Sequence, residues 1–234
     1  MTLAPEALAD LEALTYEAAL EPSLWPEVTA GAGQVFEAPL IMLGVLDRRG
    51  NEVMRAATQS VTELSMARYS TFETNPGVAF VALTPPTTVE LRDRMVPDSD
   101  LERMPFYQEM MRPLDSWHVA VMNVHRDNTH LAPMGISRTR RQRPFGEEEL
   151  RGLRALAPHL NRALRVTLRL KEMEARADAL VAGADRALTA IVFADAFGRV
   201  AEANSLARAI LADNDGLAMR DGALRAAVAT TTLG

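Results

Sequence analysis

Apolar residues in this chain recur at helical spacing in some stretches and run together or alternate in others, with polar turns between them. Pro5 stands near a helix start, and Leu8, Leu11, Leu14 and Ala18 follow at spacings of three and four, which predicts an amphipathic helix. Glu21, Pro22 and Ser23 end it, and Ser23 is placed to cap a second helix over residues 24–36, with Trp25, Val28 and Val35 on one face. Residues 38–46 form an apolar run, Asp47 to Asn51 a turn, and residues 52–58 an alternating stretch, so this part reads as a β-hairpin. A helix is predicted over residues 60–72, ended by Asn75, Pro76 and Gly77. A short strand follows at 88–91. Asp98 or Ser99 is suited to cap a helix over residues 98–111, and Pro113 stops it. Residues 117–124 and 130–137 read as two strands joined by a polar turn of hairpin length.

From Phe145 to about Val181 the pattern is that of one long helix, with Glu147, Glu148 and Glu149 in a first turn where the helix dipole favours acids. Leu150, Leu153, Ala157, Leu160 and Leu164 form one apolar stripe on it, expected to cover the sheet of its own domain. Val166, Leu170, Met173, Ala177 and Leu180 form a second after a phase shift. Pro158 predicts a bend or restart. Beyond Gly183, residues 188–194, 198–203 and 205–211 read as strand, strand and helix. Strands and helices in this order, without strict βαβ alternation, predict an α+β fold with an antiparallel sheet and flanking helices.

The 234 residues are 48% hydrophobic, enough to bury a core, and length favours one large domain with a smaller piece. A formal charge of −6 argues against a nucleic-acid grip by the chain itself, since phosphates demand a basic face. No cysteine is present, which excludes disulfides, thiolate metal sites and a cysteine nucleophile, and fits a reducing compartment. The first twenty residues lack a basic leader, and no apolar run approaches the length of a membrane span, so the cytoplasm is the expected location.

Tyr16 to Pro26 (YEAALEPSLWP), Phe106 and Tyr107 to Pro113, and Pro144 to Leu150 leading into Leu156 to Ala163 together resemble the sensory half of bacterial LuxR-type helix-turn-helix transcriptional regulators. The resemblance implies a PAS- or GAF-like sensor over residues 1–145, a connecting and dimerisation helix over 146–182, and a partial second PAS-like segment over 185–234. In that last part Gly198 supplies the turn between two strands and Asn204 the helix cap. No stretch near the end reads as a helix-turn-helix, so the family's DNA contact is expected in a domain absent from this chain. The function implied is ligand sensing for a transcription regulator, with the signal carried to the output by a dimer helix including Leu160, Leu164, Leu170, Met173 and Leu180. The same residues suit the sensor of another signalling protein, such as a histidine kinase.

The candidate ligand pocket is drawn from aromatic and methionine residues that such a fold brings together: Met42, Tyr69, Phe72, Met104, Phe106, Tyr107, Met110, Trp117, Met122 and Met134. Flexible methionines beside aromatic rings suit a small apolar ligand, although most of these side chains must also build plain core. Tyr69 with Asn75 and Pro76 is similar to the Tyr, Asp-Pro pattern of acyl-homoserine-lactone receptors, with Asn75 in place of the acid. Ser116 and His118 would share one face of a strand and are the residues a small hydrolase would use, but Asp115 points away and no nucleophile elbow accompanies them. His125 and His130 flank a turn beside Asp127 and are more readily exposed turn histidines than a metal pair. Arg138, Arg140, Arg141 and Arg143 read as a solvated loop tied to neighbouring acids. No catalytic residue, metal site or identifiable cofactor is assigned, and the expected partners are a second copy of the chain and a small apolar molecule.

Overall fold

An apolar run with no polar alternation must be covered on both faces, and Leu40–Asp47 (β1) is such a run: all of it is buried except partly exposed Asp47. It pairs antiparallel with Glu52–Ala57 (β2). Asp47 closes the hairpin turn, its Oδ1 accepting the backbone N–H groups of Arg49 and Asn51 at 2.8 Å each. The structure, a computed structural model, describes residues 4–58, 75–186, 189–214 and 216–226. The helix predicted over 60–72 lies outside these.

The chain divides into two units, Met1–Leu168 and Arg169–Gly234. In the first, Val89–Leu91 (β3), Ser116–Arg126 (β4) and His130–Thr139 (β5) join the hairpin in an antiparallel sheet of order β2-β1-β5-β4-β3. With its helices this makes the fold α+β. Two bulges interrupt β4, between Ser116 and His118 and between Asn123 and His125. Trp117 and Val124 are the extra residues, and at each the alternation of faces reverses. Pro133, which has no N–H to donate, sits opposite Asn123 beside the second bulge, where a strand tolerates it.

Pro5–Leu20 (α1), Trp25–Val35 (α2) and the start of Glu147–Arg186 form a helical layer on one face of the sheet. Ile41, Leu43 and Val45 of β1 and Ala120, Met122, Ala132, Met134 and Ile136 of the other strands meet them in a single apolar core. Ser23 does not cap α2. It lies in a 3₁₀ turn, Pro22–Leu24, with its hydroxyl 3.0 Å from Glu21, and Leu24 takes the cap position. Trp25, 1% exposed, donates its indole N–H to Thr167 Oγ1 at 3.1 Å, which ties the start of α2 to the long helix.

The opposite face is partly covered by Pro76–Leu83 (α3), Arg92–Met95 (α4), Asp98–Leu101 (α5), a π-helical turn at Tyr107–Met111 and a 3₁₀ turn at Arg112–Leu114. Asn75 caps α3, accepting the N–H of Gly77 at 2.9 Å. Asn123 binds α3 to the sheet through bonds to the carbonyls of Val81 and Thr84, at 3.2 and 2.8 Å. The single helix predicted over 98–111 is thus broken: Pro105 removes a donor, and Pro97 holds the cap position while Asp98 pairs with Arg92.

The long helix α6 (Glu147–Arg186) continues through Pro158 without a break. Its first stripe is buried, with Leu150, Leu153, Ala157, Leu160 and Leu164 at most 1% exposed. Leu160 and Leu164 therefore belong to the core of their own domain and are not available to a dimer seam. Of the second stripe, Val166, Met173 and Leu180 are exposed.

In the second unit, Val192–Ala194 (β6) and Val200–Ala203 (β7) form the strand pair about Gly198, whose φ of 77° is the left-handed value that a side chain would oppose. Asn204 caps Ser205–Ala212 (α7), accepting the Ala207 N–H at 3.0 Å while donating to the Thr189 carbonyl at 2.7 Å. A further hairpin, Leu217–Arg220 (β8) with Ala223–Ala226 (β9), turns at Asp221 and Gly222. It joins the β7 side through the bonds Val200 N–H to Gly222 O and Leu224 N–H to Gly198 O, each 2.8 Å.

Candidate functional site

The two faces of the sheet serve different purposes. On β1, Ile41 and Leu43 face the helical core, so Leu40 and Met42 face the other side. On β4 and β5 the same alternation sends Val119, Val121, Pro133, Gly135 and Ser137 to that side. There they border a cavity of about 80 Å³, several times the space one ordered water needs. Phe106, Met110, Met111 and Leu114 close it from the segment before β4, Met95 from α4, and Asn75, Pro76 and Gly77 from the start of α3. The lining is apolar apart from Asn75, Arg92, Ser116 and Ser137.

Arg92 is the charged member, 4% exposed. Its guanidinium donates to the carbonyls of Trp117 at 3.0 Å and Val96 at 3.3 Å and pairs with Asp98, whereas Nε has no partner among the described residues. Trp117 is enclosed by cations, with the guanidinium carbons of Arg140 and Arg92 at 3.8 and 5.2 Å from its ring.

Three of the predicted pocket residues, Met42, Phe106 and Met110, line this cavity. Tyr69 and Phe72 fall outside the described residues. Met122 and Met134 pair across β4 and β5 but point to the helical side, where both are buried in the main core. Met104, Tyr107 and Trp117 pack in a small separate cluster with Leu101 and Met111, Tyr107 meeting Trp117 edge to face at 5.7 Å. The bulge at Trp117 explains why that ring leaves the cavity side and why Ser116 takes its place. As cavity-lining residues, Leu40, Arg92 and Ser137 were missed from sequence, and Ser116 was considered only as a hydrolase candidate. Leu40 and Ser137 are paired across β1 and β5 and share the parity of Met42, which is the signal that would have found them.

Ser116 and His118 do not share a face. The bulge between them puts Ser116 with Val119 and Val121 at the cavity, while His118 borders a different depression beside Arg92, Asp93, Asp98 and Phe145. Burial, then the charge of Arg92, holds the His118 imidazole below its ordinary value. At the other end of β4, His125 Nε2 lies 3.0 Å from Asp127 Oδ2, and Asp127 Oδ1 accepts the N–H groups of Thr129 and His130 at 2.6 and 2.7 Å. Burial alone would raise the Asp127 pKa, but donors from Thr129, His130 and His125 outweigh it and keep the carboxyl well below its usual range. Among the described residues no group of three or more ligating side chains is placed to hold a metal ion.

The arginine cluster is tied to acids, as its sequence suggests, but Arg138 is not solvated. It is 1% exposed at the end of β5, bonds the carbonyls of Phe36, Glu37, Arg143 and Pro144, and lies 3.3 Å from buried Glu149. Arg140 pairs with Glu102, and Arg143 with Glu149 and Glu37.

A five-stranded antiparallel sheet with one face packed on α1, α2 and α6 and a small, largely apolar cavity on the other defines an α+β domain. No protein-family model and no curated protein matches the chain. Among solved structures, the ligand-binding domain of VqsR from Pseudomonas aeruginosa is similar to it, with a TM-score of 0.53 at 15% identity over 70% of this chain and 95% of that one. CepR2 from Burkholderia cenocepacia, an N-acylhomoserine lactone dependent LuxR-family transcription factor, aligns with a TM-score of 0.49 at 16% identity over 71% of this chain and 96% of that one. At such identities the likeness to the VqsR domain is one of fold. No helix among the described residues is long and apolar enough to cross a membrane.

Proposed function

We propose that this chain is the sensory, ligand-receiving region of a LuxR-type bacterial transcription regulator acting in the cytoplasm, with a PAS- or GAF-like sensor and a partial second PAS-like segment. The observation that carries the reading is the apolar cavity beside β4 and β5, the two strands whose opposite faces pack on α6. The VqsR domain, named for ligand binding, supports it by having the same fold. A small, largely apolar molecule is the occupant these walls suit, with Ser116, Ser137 and Arg92 as polar contacts. Occupancy favours one packing of the sheet on α6, and this helix passes the bias to a DNA-binding output and to a second copy of the chain. The role is read as binding rather than turnover, because among the described residues that line the cavity no histidine or carboxylate accompanies its hydroxyls, Ser116 and Ser137.

The test is native mass spectrometry of protein freshly purified from the producing cells, followed by thermal unfolding with and without the released molecule. A ligand at about a hundredfold over its Kd stabilises by about 2.7 kcal/mol. In a domain of this size that raises Tm by roughly 5–10 °C. Val121→Phe, which fills the cavity, is expected to abolish both the bound mass and the shift. Protein that carries no small molecule, and whose melting is unmoved by an extract of those cells, would refute the reading.

A further inference from the structure

Strand register sorts the cavity wall into two ends. Ser116 stands opposite Thr139 and Ser137 opposite Val119, so the two hydroxyls come from the same end of the β4–β5 pair. Arg92 is fixed at that end as well, because its guanidinium donates to the Trp117 carbonyl at 3.0 Å. Val121, Gly135 and Pro133 lie further along, and Met42, opposite Gly135, continues the apolar wall on β1. From Ser137 to Pro133 the strand advances about 13 Å. The wall is therefore polar at one end and apolar along the rest.

The polar end holds donors without acceptors to receive them. Arg92 is 4% exposed and its Nε has no partner among the described residues. The hydroxyls of Ser116 and Ser137, both buried, make no hydrogen bond among the described residues either. Asn75, the remaining polar residue of the lining, already accepts the N–H groups of Gly77 and Val78 at 2.9 and 3.4 Å. No carboxylate lines the cavity among the described residues. A guanidinium N–H can only donate, and burying it unmatched is costly, so the group that completes this end is an acceptor. A carboxylate serves best, since both oxygens accept and a charge-assisted bond is roughly twice as strong as a neutral one. The Asp98 side chain, which pairs with Arg92, is 58% exposed. Water screens that pair and leaves guanidinium charge for a second anion.

We infer that the cavity takes a small amphiphilic carboxylate, a fatty acid of roughly six to eight carbons, with its head at Arg92 Nε, Ser116 and Ser137 and its chain against Met42, Val121 and Pro133. The volume of about 80 Å³ bounds the chain length. This rests on the reading of the cavity as a ligand site and adds the charge and direction of the ligand.

Isothermal titration calorimetry of the full chain with octanoate and, separately, 1-octanol tests it. Octanoate is expected to bind about tenfold more tightly than the alcohol, and Arg92→Met to abolish that preference. Arg92 also holds two backbone carbonyls, so two milder variants guard against a folding defect. Ser137→Ala should weaken octanoate about fivefold, and Asp98→Asn, outside the cavity lining, should tighten it about threefold, each changing octanol less. Val121→Phe should remove binding of both. Octanol that binds as tightly as octanoate would overturn the carboxylate assignment and leave the cavity a ligand site. Octanoate binding that survives Val121→Phe, or no binding by octanoate at all, would also overturn it. The bound mass in protein from the producing cells then decides separately whether the cavity holds a molecule of another class.

Discussion

Arg138→Met is expected to destabilise the first unit by about 3 kcal/mol, the lower end for removing one partner of a buried ion pair. For a domain of this size that lowers Tm by roughly 6–12 °C. The methionine keeps most of the aliphatic stem but leaves the carbonyls of Phe36, Glu37, Arg143 and Pro144 without their shared donor. It also removes the cation 4.2 Å above the Phe145 ring and one of the two arginines on buried Glu149. Arg143 stays on that carboxylate but is half exposed, so solvent weakens what it can offset. Urea unfolding, followed by a probe in the first unit, measures the loss. A cost below about 1 kcal/mol would mean that water replaces the guanidinium freely. Acid makes the same contact visible in the unmodified chain. Burial raises the Glu149 pKa, but its own backbone N–H, Arg143, the Gly146 N–H and Arg138 outweigh this and hold it below the usual carboxylate value. Its contribution is complete above the unfolded pKa of about 4.3 and disappears as pH falls through the lower folded value, so Arg138→Met should flatten the acid limb of the stability profile.

Trp25→Ala is expected to cost about 4 kcal/mol, within the range for removing a large buried aromatic side chain. The ring is fully enclosed, and its N–H meets Thr167, whose hydroxyl in turn lies 3.3 Å from the carbonyls of Ala19 and Ala163. One side chain thus joins α1, α2 and α6. Trp25→Phe keeps a ring and loses the indole bond, and should cost about 1 kcal/mol more than any change in packing. Equal losses for the two variants in chemical unfolding would show that the hydrogen bond, rather than the bulk, carries the effect.

The helices α1, α2 and α6 and the strands of the first unit were legible because period and burial agree in them. The same holds for Gly198 and Asn204, whose backbone roles leave few alternatives. The cavity was harder to read. A list of methionines and aromatics cannot tell Met42 from Met134, which occupy opposite faces of one sheet, until pairing gives the parity. Parity itself fails at Trp117 and Val124, where an extra residue in β4 has no mark in the sequence, and this misplaced Ser116 against His118. Arg138 read as part of a solvated loop, and nothing in the sequence singled out Arg92. Their burial depends on carbonyls contributed by distant segments, such as Phe36 for Arg138, and no local pattern announces that. The β8–β9 hairpin did carry a signal, the Asp221-Gly222 turn between Met219 and Leu224, that was not used.

Because β4 presents Val119 and Val121 to the cavity and Ala120 and Met122 to α6, neighbouring codons there govern different properties. On the proposed reading, a saturation screen along this strand should yield a two-beat rhythm. Odd positions change which molecule is accepted, and even positions change whether acceptance has any downstream effect. The beat should slip at Val124, where the second bulge keeps two successive side chains on the helical side.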